Sequence, residues 1–201
     1  LTAMIGPRRG TGPTWVFLHG ATSQLSDWAR TVHLMSPALA RVVLIDAPGH
    51  GASSAPKGKR LNADIFVESL EQAIEELCGR ENLVIVGNSL GGFTGAHFAL
   101  RNPDKVRGLV LISPAGAPMT WAEAETLYNV FRIKNFADAA VFTRRIYPDG
   151  VPSFPGKLLY TAGVRVYINQ DPFQDLFRNG LEMIRFAPGE LAKIPCPKLL
   201  I

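Results

Sequence analysis

The chain has 201 residues, 47% of them hydrophobic and 19% charged, a composition that fits one globular domain with room for an insertion and excludes a disordered chain. Its formal charge of +4 comes from scattered basic residues; Lys57, Lys59 and Arg60 form the only tight group, which reads as a solvated loop and not as a nucleic-acid surface. The longest apolar runs, 42–45 and 83–86, fall far short of the roughly 20 residues a membrane helix needs, so no transmembrane segment is expected.

Cys78 and Cys196 are the two cysteines, with neither metal-ligand spacing nor a paired framework. No metal is expected, and a reducing cytoplasm is the expected setting. The chain opens on Leu1, and residues 1–12 lack the basic start, apolar middle and small-residue cleavage site of a signal peptide. The N-terminus is expected to be cut.

From Thr14 onward, short β-branched runs alternate with helical patterns, the rhythm of a parallel sheet with crossover helices. Trp15 to Leu18 reads as a buried strand ending in His19-Gly20. Trp28, Val32, Met35 and Leu39 then predict a helix over 27–39. Val42 to Ile45 is the next strand, and Asp46-Ala47-Pro48-Gly49-His50-Gly51 opens a turn-rich loop reaching Leu61. Asn62 is placed to cap a helix over 63–78 with Ile65, Phe66, Leu70, Ala73, Ile74 and Leu77 on its apolar face and Gly79 to stop it. A strand at 83–86, a helix at 90–101 ended before Asn102-Pro103 and a strand at 106–112 complete the series, which calls for right-handed crossovers.

After Ser113-Pro114-Ala115-Gly116 the rhythm stops. Residues 1–116 therefore read as the first part of a core, 117–188 as an inserted helical cap broken by Pro148, Pro152, Pro155 and Pro172, and 189–201 as a return to the core cut inside a strand that begins near Lys198. The expected architecture is α/β: a parallel-rich, doubly wound sheet with a cap, incomplete at the C-terminus.

Chemistry concentrates at Val86-Gly87-Asn88-Ser89-Leu90-Gly91-Gly92, a Gly-x-Ser-x-Gly pattern between a strand and a helix. A serine on so sharp a turn needs small neighbours two residues to either side, and Gly87 and Gly91 supply them. The turn puts Ser89 at the start of a helix, where the Leu90 N–H and the helix dipole favour a developing oxyanion. A second donor is expected after the first strand, where Gly20 frees the backbone N–H of Ala21, in preference to Thr22. Residues 87–93 match neither the dinucleotide-binding glycine pattern nor a phosphate-binding loop.

His19-Gly20, Asp46-x-Pro48-Gly49-His50-Gly51, Gly87-Asn88-Ser89-Leu90-Gly91-Gly92 and Asn102-Pro103-x-x-Val106 together resemble the α/β-hydrolase superfamily over 14–116. Asn88 and the Pro-Ala-Gly after the fourth strand resemble the branch of meta-cleavage-product hydrolases, monoacylglycerol lipases and related carboxylesterases. The resemblance implies a serine nucleophile, Ser89, an acyl-enzyme and no metal or organic cofactor. The implied substrate is a small-molecule ester or related acyl compound. The order serine, acid, histidine that the resemblance implies leaves both later members absent from these residues, because His19, His33, His50 and His97 all precede the cap. His19 and His50 read as structural, as does Asp46 in its turn.

In the cap, Trp121, Leu127, Tyr128, Phe131, Phe136, Phe142, Tyr147 and Phe154 are expected either to line an apolar substrate pocket or to form the cap's own core. Arg144, Arg145 and Arg185 read either as carboxylate partners or as a solvated face. The leading expectation is a carboxylic-ester hydrolase, with carbon–carbon bond hydrolysis of a vinylogous diketone second and a non-catalytic binding module as the rival from another class. Residues 1–201 alone are expected to be inactive, and nothing in them specifies an oligomeric state.

Overall fold

A computed structural model describes residues 1–146, 162–163, 176 and 184–201. Six strands form one sheet in the order β1-β3-β2-β4-β5-β6, where β1 is Ala3–Ile5, β2 Thr14–Leu18, β3 Arg41–Ile45, β4 Leu83–Asn88, β5 Val106–Ile112 and β6 Lys198–Leu200. All neighbours run parallel except β1, which pairs antiparallel with β3 through Ala3 opposite Ile45 and Ile5 opposite Val43. The strand order reverses at β2, so β3 and β4 flank it on opposite sides and the carboxyl ends of β2 and β4 meet at a switch point.

Alternation along the strands sends side chains to two cores. Val16 and Leu18 of β2 join Ile74, Ile85, Phe98 and Leu109 on one face, under α2 (Ala63–Leu77) and α3 (Leu90–Arg101). Phe17 points to the other face, against Trp28 and Leu39, its ring centroid 5.3 Å from that of Trp28. Helix α2 forms where the apolar stripe dictates: Asn62 Oδ1 accepts the Ile65 N–H at 2.9 Å, and Phe66, Val67, Leu70, Ala73 and Ile74 are buried. Full burial of each large member of that stripe contributes about 2 kcal/mol. Gly79, at φ +57°, ends it.

The helix expected over 27–39 is instead a composite: a 3₁₀ turn at Leu25–Trp28, the short helix α1 at Ala29–Met35, and a second 3₁₀ turn at Ser36–Ala38. Pro37 has no N–H to continue an α-helical ladder, and Leu39 leaves in an extended conformation, burying its side chain from there. At the amino ends of the strands, Arg8, Thr14 and Arg41 all donate to the Glu81 carboxylate. Burial pushes that carboxyl up, but the three donors outweigh it and hold its pKa at about 2.

The chain divides into two compact units, Leu1–Pro118 with Glu182–Ile201, and Met119–Leu181. Within the second, α4 (Trp121–Phe131) opens on a reciprocal cap between Thr120 and Glu123, and α5 (Phe136–Ile146) follows. Phe131 and Phe142 pack with Ile133 and Ala139 into a small core, their ring centroids 5.5 Å apart. Trp121 and Phe136 are exposed, while Tyr147, Phe154 and the four prolines expected to break the cap lie outside the described residues. No helix among the described residues is long and apolar enough to cross a membrane.

Candidate active site

Ser89 links β4 to α3 with φ 49° and ψ −113°, a conformation that costs a non-glycine residue about 1–3 kcal/mol and persists only where neighbours impose it. The backbone of Ser89 is held on both sides. Its N–H donates to Ile112 O at 3.0 Å, and its carbonyl accepts from Phe93 N at 3.0 Å and Ala115 N at 2.9 Å. The flanking glycines are the condition for this turn: a Cβ on Gly87 would stand 2.4 Å from Gly91 O, and one on Gly91 would stand 2.3 Å from Leu18 O. Helix α3 thus starts directly against the end of β2, and the side chain of Ser89 remains partly accessible.

The loop after β2 crosses the same spot. A Cβ on Gly20 would lie 2.8 Å from Asn88 Oδ1 and 3.3 Å from Ser89 Cβ, so any side chain here would push the Asn88 amide aside and crowd the serine. Ser23 N–H closes the turn on Gly20 O at 3.2 Å. Leu90 is the first residue of α3, ahead of the helix's own hydrogen-bond ladder. Asn88 donates through Nδ2 to Ile112 O at 3.3 Å, tying the elbow to β5.

His19 anchors this loop. Its Nε2 accepts the Ala47 N–H at 3.0 Å, which leaves Nδ1 to carry the proton and donate to Gly20 O at 2.8 Å. Burial lowers its pKa, against smaller upward pulls from the Gly20 carbonyl and Asp46, and the neutral ring is the one these bonds require. Asp46 is 2% exposed and accepts the amides of Leu25 at 2.7 Å and Ala52 at 3.0 Å. It pins two loops. His50, fully buried, shares its Nδ1 with Pro48 O at 2.9 Å and stands 5.2 Å, ring to ring, from His19. Burial, then the neighbouring His19, lowers its pKa to about 4.

His33 is exposed on α1, and His97 stacks on Phe186 at 5.0 Å with its Nδ1 3.9 Å from Glu190 Oε1. Among the described residues none of these histidines hydrogen-bonds Ser89. The structure therefore brings Gly20, Gly87, Asn88, Ser89, Leu90 and Gly91 together, with His19 bonded to the Gly20 carbonyl. The Phe93, His97 and Phe186 cluster behind α3 escaped the sequence because its members are joined only by the fold.

The model of the alpha/beta hydrolase fold matches residues 13–166, and the chain belongs to that family. It is 31% identical over 164 residues to the 2-hydroxymuconate semialdehyde hydrolase of Pseudomonas sp. (strain CF600), covering 78% of this chain and 56% of that protein. With the pimeloyl-(acyl-carrier protein) methyl ester esterase of Chromobacterium violaceum it shares 34% identity over 134 residues, covering 65% of this chain and 50% of the esterase. The chain thus spans about half the length of these curated relatives. The solved 2-hydroxy-6-oxo-6-phenylhexa-2,4-dienoate hydrolase from Rhodococcus sp. strain RHA1 has the same fold, with a TM-score of 0.75 at 22% identity over 99% of this chain and 81% of its own.

Proposed function

We propose that the protein is a serine hydrolase in which Ser89 Oγ attacks a carbonyl carbon. The observation that carries this reading is the strained serine itself, held at φ 49° against two glycines that tolerate no side chain. Attack forms the bond from Oγ to carbon, and the Leu90 and Ala21 N–H groups are assigned to the resulting oxyanion. Collapse expels the leaving group, and water then releases the acyl group from Ser89. The base that takes the Oγ proton, and the acid that orients it, are assigned outside the histidines and carboxylates described above, since His19, Asp46 and His97 are committed to loop bonds or packing and His33 is exposed on α1. The unit Met119–Leu181 is assigned to substrate selection.

Carboxylic esters are the leading substrate class, supported by the esterase relative. The 2-hydroxymuconate semialdehyde hydrolase relative, which matches more of this chain, supports the second reading, cleavage of a carbon–carbon bond in a vinylogous diketone. The test is active-site labelling of the full-length protein with a fluorophosphonate, followed by peptide mass spectrometry and assays on p-nitrophenyl butyrate and a 2-hydroxy-6-oxodienoate. The expected adduct is on Ser89, and Ser89→Ala should lower turnover of the accepted substrate by about a thousandfold or more. Turnover with no adduct on Ser89, undiminished in Ser89→Ala, would overturn the assignment.

A further inference from the structure

Unit Met119–Leu181 holds a cavity of about 480 Å³ lined by α4, the connection after it and α5. Among the described residues three cations border it, Arg132, Lys134 and Arg145, and Val130, Val141 and Phe142 supply apolar wall. One acid among the described residues, Asp138, shares the lining; its Oδ2 accepts the backbone amides of Lys134 at 3.0 Å and Asn135 at 3.2 Å, completing the cap of α5 in which Asn135 Oδ1 accepts the Asp138 N–H at 3.0 Å. None of the three cations has an ion-pair partner among the described residues. Three cations against one carboxylate leave the recess net positive, and its partly apolar wall suits an anion that brings hydrocarbon with it.

We infer that this cavity binds small amphiphilic oxyanions, a carboxylate or phosphate head held by Arg132 and Arg145 with Lys134 adding charge, and a short apolar segment against Val130 and Phe142. Arginine suits the role because its planar fork meets an oxyanion through paired N–H groups. The inference does not depend on hydrolysis at Ser89.

The test is isothermal titration calorimetry on the full-length Ser89→Ala protein, which separates binding from turnover. Hexanoate and hexyl phosphate are the probes, distinguishing carboxylate from phosphate; hexanol and hexylammonium are the controls. At least one anionic probe should bind while neither control does, and raising the salt should weaken it. Arg132→Gln and Arg145→Gln should each lower affinity about tenfold, the loss of one charge-assisted contact, while Arg30→Gln on α1 changes nothing. Both arginines are exposed, so melting temperature should hold and a lost fold is detectable. Absence of binding by both anions, equal binding by hexanol, or affinity that survives the double Arg132→Gln, Arg145→Gln change would overturn the inference, whatever the outcome of labelling at Ser89.

Discussion

The Phe186 amide donates to the Gly116 carbonyl at 2.8 Å, joining the two segments of the first unit at the points where the chain leaves for the second and returns. The Phe186 ring lies within 10° of parallel to His97 and 5.3 Å from Phe93, while a Cβ on Gly116, at φ +112°, would meet that ring at 2.7 Å. Phe93 in turn hydrogen-bonds Ser89 O, so the closure rests on the helix that carries the serine.

Phe186→Ala removes a half-buried ring from three neighbours. It should lower stability by about 2 kcal/mol, below the range for a fully buried phenylalanine. Urea unfolding of the full-length protein measures this; a change under about 0.5 kcal/mol, the ordinary surface value, would refute it.

Gly91 and Gly108 offer a matched pair. The Cβ of Gly91→Ala would strike the Leu18 backbone, which cannot rotate away, so α3 must shift from β2. A loss of about 1–3 kcal/mol is expected, along with slowed labelling of Ser89. At Gly108 the nearest atom is Val84 Cγ2 at 3.7 Å, ordinary contact distance. Gly108→Ala should therefore stay within about 0.5 kcal/mol of the parent. Equal effects of the two changes would show that the close approach at Gly91 does not govern the turn.

Acid should loosen the loops that His19 and His50 hold. His19 and His50 are both buried with lowered pKa values, His50 to about 4. In the unfolded chain each takes a proton near pH 6.5. Between that value and the folded pKa the unfolded state binds more protons, so stability falls as pH falls and is undiminished above pH 6.5. For His50 alone the loss by pH 4 is about 3 kcal/mol. Protonated His19 also loses its acceptor for the Ala47 amide. Urea midpoints at pH 7.5, 6 and 4.5 test the slope, and His50→Gln should flatten it. Stability unchanged from pH 7.5 to 4.5 would contradict the assignment.

The parts of this fold legible in the sequence are those whose cause is local. A strand, a turn that needs glycine at two offsets and a helix can be read at 83–101 because each requirement falls on adjacent residues. Strand β1 could not be read this way: three half-exposed residues owe their conformation to the edge of β3, not to a pattern of their own. The composite turn at 25–38 shows periodicity outrunning backbone chemistry, since apolar spacing continues past Pro37 where an α-helical ladder cannot. Glu81 joins Arg8, Thr14 and Arg41 across long stretches of chain, a contact that only the parallel register of β2, β3 and β4 creates.

Residues 1–201 expressed alone should give no burst with p-nitrophenyl acetate. A burst requires Ser89 to be deprotonated as it attacks, and a serine hydroxyl does this only with a base in hydrogen-bond reach. His19 Nε2 is occupied by the Ala47 amide, His50 is sealed in the core, His97 stacks on Phe186 with Phe93 tilted against it, and His33 sits exposed on α1. What remains is the pair of backbone donors proposed above, which without a base should leave a small fraction of full activity. Stopped-flow absorbance at enzyme concentrations near that of the ester reads the burst amplitude directly. A stoichiometric burst that disappears in Ser89→Ala would show that one of these histidines leaves its packed position to reach the serine, and His97, the partly accessible one on the helix of Ser89, would be the first to replace.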